Sequence, residues 1–251
     1  MSTASGPELL AAALGELDQR LDWPALGCLY CSEGGEDFFD EESREAIFDT
    51  ALRLVGDVAG TLEDAGGTTG RSLYVGAGVA ELPLILAESL VLGRRVVCAG
   101  PPTQERAALD AALAETEQEL GVRLPRYGRE PVPERPRASI GTFDHLWLVS
   151  VLNDPEAFPA LHDRLYGRAG GELATGRGDL VKERRAAERL VVRLAEALEL
   201  PAVLTTTDEE LPVLLAALEG TGQELHVPER ARLSGIVGDP VRCCRLLPGA
   251  G

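Results

Sequence analysis

Positive charge is scarce in this chain. Its 251 residues hold 24 Lys and Arg against 41 Asp and Glu, a formal net charge of -17. A broad nucleic-acid surface is excluded by that balance, because phosphates would be repelled. The one lysine, Lys182, lies far from any glycine turn, so a phosphate loop of the form G-x-x-x-x-G-K-[ST] is ruled out. His145, His162 and His226 are the only histidines, and no two stand at metal-ligand spacing. No metal site is therefore expected, and no Ser-His-Asp motif is visible. No apolar run reaches membrane-spanning length. The first residues lack the basic region and apolar core of a signal peptide. The expectation is a cytoplasmic protein that meets no membrane, with its five cysteines reduced. Cys28 and Cys31 form a C-x-x-C without a second pair, a poor zinc signal. Arg126, Arg129, Arg135 and Arg137 are the one local basic cluster and read as a solvated arginine-rich loop.

What is present centres on Ser72-Leu73-Tyr74-Val75-Gly76-Ala77-Gly78-Val79-Ala80-Glu81. A short apolar strand runs into a glycine turn and then a helix over 79–92. Gly76 and Gly78 let the backbone turn and approach a ligand closely. Free N–H groups at the start of the helix would face whatever sits over the turn. A dinucleotide fingerprint starting at Gly76 needs glycine at position 81, where this chain has Glu81.

Around that turn the pattern alternates between strand and helix, the mark of a parallel sheet with crossover helices. Two helices over 7–21 and 41–63 come first, the second capped by Asp40 and stopped at Gly66-Gly67. Strands are expected at 72–75 and 95–99, a short one near 122–124, a long one at 144–152 and one at 171–175. Thr103 caps a helix that ends at Gly121. An amphipathic helix over 182–198 and a further helix over 208–218 follow. Two C-terminal strands, 223–227 plus 232–237 and 241–247, close on the turn Gly238-Asp239-Pro240 as an antiparallel hairpin.

The glycine turn resembles the first motif of the class I (Rossmann-like) S-adenosylmethionine-dependent methyltransferases. Gly76 and Gly78 match its first two glycines, Ala80 replaces the third, and Tyr74 stands where the family has an acid. The resemblance covers residues 71–251, and Thr142 to Asp154 resembles the family's fourth strand and the turn beside the reacting methyl group. It implies a doubly wound, mostly parallel α/β sheet with a C-terminal antiparallel hairpin (residues 67–251), preceded by a helical extension (residues 1–66). It also implies S-adenosylmethionine as cofactor, held by Tyr74, Gly76, Ala77, Gly78, Glu81, Ala99, Gly100, Glu130, Ser150 and Val151. The family's ribose-binding acid at the end of strand two is missing, since Cys98, Ala99 and Gly100 stand there. Glu130 is the substitute nearest the place of the adenine-binding acid. Lost charged hydrogen bonds of this kind cost about 1.5–3 kcal/mol each.

Asn153, Asp154 and Tyr30 are the candidate catalytic residues. Asn153 and Asp154 either face the ligand or cap the next turn. His145, inside a strand, reads as a structural histidine. The expected substrate is a small molecule, a cationic amine among the candidates, with nucleic acid excluded; the oligomeric state is left open. A non-catalytic binding or regulatory protein of the same fold, an aminocarboxypropyl transferase similar to nicotianamine synthase, and an unrelated Rossmann-like enzyme are the alternatives. Residues 22–40 hold Trp23, Tyr30, Phe38 and Phe39, four of the chain's eleven aromatics (two Trp, four Tyr, five Phe). This segment is either core packing or a lid whose Glu33, Glu36 and Asp37 hold a cationic substrate.

Overall fold

A computed structural model describes residues 4–31, 34–66, 70–128, 130–167, 175–235 and 238–249. Helices α1 (Gly6–Arg20), α2 (Trp23–Tyr30) and α3 (Glu41–Ala65) precede the first strand, β1 (Arg71–Val75). A 3-10 turn (Val79–Glu81) leads into α4 (Leu82–Leu90), then β2 (Arg95–Ala99), α5 (Gln104–Leu120), α6 (Pro136–Ile140) and β3 (Phe143–Leu148). Next come α7 (Pro159–Leu165), α8 (Leu180–Glu196), β4 (Leu198–Thr207), α9 (Leu211–Leu218), β5 (Gln223–His226), β6 (Arg232–Leu233) and β7 (Pro240–Pro248).

The strand order is β2-β1-β3-β4-β7-β5, with β6 on β7. β1, β3 and β4 are parallel, in a register that sets Trp147 opposite both Tyr74 and Thr205. β7 runs antiparallel to β4 and to β5, pairing Thr205 with Cys243 and Leu225 with Leu246. β6 and β7 pair antiparallel as Arg232 with Val241 and Leu233 with Pro240, the short hairpin that the Gly-Asp-Pro turn predicts. Parallel strands joined by helices and finished by antiparallel strands are the class I methyltransferase-like α/β arrangement.

Two compact units make up the chain. One is Met1–Ala59, Ala77–Pro131 and Ser234–Gly238; the other is Gly60–Gly76, Val132–Leu233 and Asp239–Gly251. In the first, α4 is apolar nearly all round, with Leu82, Leu84, Ile85 and Leu86 fully buried and its one acid, Glu88, buried against Arg94 at 3.0 Å. Trp23, Leu26 and Phe39 of the aromatic segment are buried too, whereas Tyr30 lies at the surface, stacked on Phe38 at 5.6 Å. In the second unit, β3 is buried along its whole length. His145 sits there between the hydroxyls of Ser72 (3.3 Å) and Thr205 (3.0 Å), the structural placement expected of it.

Several elements differ from the sequence expectation. The fifth strand is β4, over residues that the sequence reading left between two helices. The apolar period of α8 runs on into Leu198, and Thr205, Thr206 and Thr207 look like loop by polarity. All three threonines are nevertheless fully buried, because their hydroxyls have partners. Of the strand expected at 171–175, residues 171–174 lie outside the described residues. So do Gly67 and, in the strand expected at 232–237, residues 236 and 237. The short third strand is reduced to one parallel bridge between Cys98 and Tyr127. Residues 23–30 form α2 rather than irregular chain, capped by the Asp22 carboxylate on the Ala25 N–H. β3 ends at Leu148, and 149–152 form a turn.

Helix α5 starts where the sequence predicts: the Thr103 hydroxyl accepts from the Arg106 N–H at 3.1 Å, and Gly121 ends the helix at φ +65°. Thr103→Ala should therefore lower stability by about 1 kcal/mol, read as a shift in the urea midpoint. Thr103→Ser should lose much less.

Candidate functional site

In the first unit the glycine turn is built around two carboxylates. Gly78 is extended (φ -121°, ψ -152°), so its missing side chain matters for space rather than for backbone angle. A Cβ there would lie 2.7 Å from the Glu105 carboxylate. The Gly78 N–H donates to Glu81 at 2.8 Å, and the Gly78 carbonyl accepts from the Tyr127 hydroxyl at 2.8 Å. The next N–H, of Val79, donates to Glu105 Oε1 at 2.8 Å. Tyr30 donates its hydroxyl to the same oxygen at 2.6 Å. The ring of Tyr30 is part-exposed, but enclosure of its hydroxyl against Glu105 and then the Glu105 charge push the phenol above its ordinary pKa, so it stays a donor. Burial does the same to Tyr127.

Glu105 is the residue the sequence reading missed. It sits in the first turn of α5, where a carboxylate favours the helix N-terminus. The Thr103 cap was the signal that could have found it, since a cap at 103 places residue 105 in that turn. The end of β2 has no room for an acid. The buried Arg106 guanidinium fills the position, donating to the carbonyls of Ala99 (3.1 Å) and Pro101 (3.3 Å). A Cβ on Gly100 would lie 2.2 Å from that guanidinium. Gly100 N–H donates to the Glu130 carbonyl at 2.9 Å, so Glu130 meets the strand end through its backbone, with its side chain exposed.

In the second unit, β1 ends at Gly76, which has φ +71° and would bring a Cβ to 2.9 Å from the Val151 side chain. Both conditions demand glycine there. Tyr74 is fully buried and stacks on Trp147 at 5.5 Å, a core placement. The turn after β3 is held by one buried carboxylate, Glu210. It accepts the N–H groups of Ser150 (3.2 Å), Val151 (2.7 Å) and Leu152 (2.7 Å), and the hydroxyls of Thr206 (3.1 Å) and Thr207 (3.2 Å). Burial raises the Glu210 pKa, against the lowering effect of these donors. Ser150 takes the left-handed conformation, φ +57°, that this turn imposes.

Asn153 and Asp154 follow and part ways. Asp154 accepts the N–H groups of Glu156 (2.9 Å) and Ala157 (2.6 Å), which makes it a turn cap. Asn153 is buried and donates its amide to the Tyr166 hydroxyl at 2.9 Å; Tyr166 in turn donates to Asp239 at 2.6 Å. His162 Nδ1 donates to the Asn153 carbonyl at 2.7 Å. The side-chain oxygen of Asn153 is enclosed and has no partner.

The structure thus brings Tyr30, Gly78 and Glu81 together around Glu105. Ala99, Gly100 and Glu130 meet at the end of β2, and Gly76, Ser150 and Val151 meet at the turn after β3. Ala77 is buried. Glu36 and Asp37 are exposed, and Glu33 lies outside the described residues. Arg126 is spent on Asp110 and Glu117, and Arg129 is outside the described residues. The five cysteines are in no disulfide, and burial pushes the Cys98 thiol up to about 12. Among the described residues no group of His, Cys, Asp and Glu is placed to hold a metal.

No protein-family profile matches the chain, and no curated protein matches it. Solved structures do align with it. A precorrin-6y C5,15-methyltransferase from Geobacter metallireducens matches at 15% identity and TM-score 0.43, over 76% of this chain and 86% of that one. TrmN from Thermus thermophilus matches at 14% identity and TM-score 0.44, over 80% of this chain; the chain spans about half the length of that protein, 52%. An rRNA methylase from Streptococcus thermophilus matches at 9% identity and TM-score 0.38, over 83% of this chain and 95% of that one. At such identities and TM-scores none of these likenesses bears on what this chain does.

The Glu210 nest makes a direct forecast. Glu210→Gln keeps the shape but turns one acceptor into a donor facing N–H and O–H groups. Stability should fall by about 1–3 kcal/mol, and amide exchange at 150–152 should accelerate more than in the helices.

Proposed function

We propose that this chain is an S-adenosylmethionine-dependent transferase, a methyltransferase, acting on a small molecule. The observation that carries the reading is the Glu105 carboxylate set against side-chain-free Gly78 and bonded to the Val79 N–H. A carboxylate offers two oxygens at the separation of two vicinal hydroxyls. Glu105 would accept both ribose hydroxyls of the cofactor, the task for which the end of β2 has no acid. What the turn offers such a ligand is acceptor oxygens, those of the Glu105 carboxylate packed against Gly78.

When bound, the cofactor supplies a methyl group activated on a sulfonium. The work of the chain is then placement, which methyl transfer needs more than acid–base chemistry. Glu81 and Glu105 fix the glycine turn by accepting the N–H groups of Gly78 and Val79. Tyr30 covers Glu105 from α2, so the helical extension of residues 1–66 serves as core through Trp23 and Phe39 and as cover through Tyr30 and Phe38. Ala77, Ala99, Gly100 and Glu130 are assigned to the cofactor through backbone or apolar contact. Gly76, Ser150 and Val151 are assigned to shaping the turn, and Tyr74 to the core stack. The net charge of -17 supports a small, uncharged or cationic substrate over nucleic acid.

Calorimetry with S-adenosylhomocysteine tests the reading. Wild type should bind, Glu105→Ala should lose about tenfold or more, as expected for charged hydrogen bonds of about 1.5–3 kcal/mol, and Gly78→Val should not bind. Equal affinity in wild type and Glu105→Ala would remove Glu105 from the site. Absence of binding in wild type would leave the non-catalytic reading. Product analysis over amines and bulk RNA then separates the rest. Methylthioadenosine in place of S-adenosylhomocysteine would mean aminocarboxypropyl transfer, and methylated RNA would replace the small-molecule substrate class.

A further inference from the structure

A cavity of about 810 Å³ runs along α8 and α9 in the second unit, and Arg185, Arg189 and Arg193 line it. Four-residue spacing puts the three on one side of α8, about 6 Å apart along the axis, in a row about 12 Å long. Like charges at this spacing repel and weaken a helix. Some arginines of this acid-rich chain are paired: Arg20 with Glu16, Arg44 with Asp18, Arg94 with Glu88, and on α8 itself Arg184 with Glu188. Among the described residues none of the three cavity arginines makes an ion pair or a side-chain hydrogen bond. The Nε of Arg193 is enclosed without an acceptor. The Nε groups of Arg20, Arg44 and Arg106 are enclosed in the same way, so it is the row of three unpaired guanidinium groups on one cavity wall that sets this place apart.

We propose that this cavity is a second ligand site, for a small molecule carrying two or more linked phosphates. The planar guanidinium fork matches phosphate oxygens two at a time. A linear row of three forks suits a chain of phosphates better than one compact anion. Glu188 also lines the cavity, but Arg184 neutralises it at 3.0 Å. Glu134 adds one negative charge to the lining against three positive ones. Ala216 and Ala217 on α9 keep that wall short-chained, which leaves the arginines room to fold onto a ligand. The proposal stands apart from the transferase reading and does not depend on it.

Titration of the full-length chain with inorganic tripolyphosphate by calorimetry is the test. Wild type should show saturable binding that weakens as salt is raised. Arg189→Glu with Arg193→Glu should weaken it at least tenfold. Arg189→Gln, which keeps a polar side chain, should weaken it severalfold and guards against misfolding of the double variant. Lys182→Glu makes the charge change of one of those two substitutions on the same helix outside the cavity and should change affinity less than twofold. Three outcomes would overturn the proposal: no saturation in wild type, equal losses in Lys182→Glu and the double variant, or binding of a ten-nucleotide oligouridine without binding of tripolyphosphate. The last would make the row a strand-binding surface.

Discussion

Backbone N–H groups at turns and helix starts need acceptors, and in this protein carboxylates supply them again and again. Glu81 and Glu105 serve the glycine turn, Glu210 the turn after β3, and Asp144 the entry to β1 at Gly70 and Arg71. Asp110 holds Tyr127, Glu183 holds Leu161, and Asp163 holds Thr175. Asp22, Asp40 and Asp179 cap helices. A neutral backbone donor takes no charge away from its acceptor, so this economy leaves the chain acidic. The charge of -17 is thus partly the cost of holding many irregular turns in place. It says as much about construction as about partners.

The same habit explains why an acid beside the glycine turn was hard to find. A search for it at the end of β2 looks at Cys98, Ala99 and Gly100, because a carboxylate on the strand is the shortest route to the glycine turn. Here the strand end is closed by Arg106, which binds carbonyls of its own loop. The acid comes instead from the helix that follows, and its contact with Val79 closes over 26 positions of chain. Tyr30 then reaches the same oxygen over 75 positions. Contacts of that range leave no periodic trace in a sequence.

What was legible follows from local physics. Apolar period marked α1, α3, α4 and α8; the Thr103 cap and the Gly121 stop bounded α5; the run Arg95 to Ala99 marked β2. The parallel class followed from alternation, and the final antiparallel strands from Gly238-Asp239-Pro240. What was not legible needed tertiary partners. Three threonines make an interior strand only because His145 and Glu210 satisfy them. Asn153 and Asp154 are neighbours with the same turn chemistry, and only the packing of Tyr166 and His162 separates a cap from an enclosed amide.

Carboxylate caps also decide how the molecule comes apart in acid. Donors at Ser43, Thr175 and Lys182 hold Asp40, Asp163 and Asp179 below their ordinary values. The stability such groups contribute is complete above the unfolded-state value, about 3.9, and is withdrawn as pH falls through the lower folded-state one. Proton uptake therefore strikes helix starts and turns before it touches the apolar interior. The sheet, with its fully buried β3, would outlast its own connections, leaving a core with its wiring loosened.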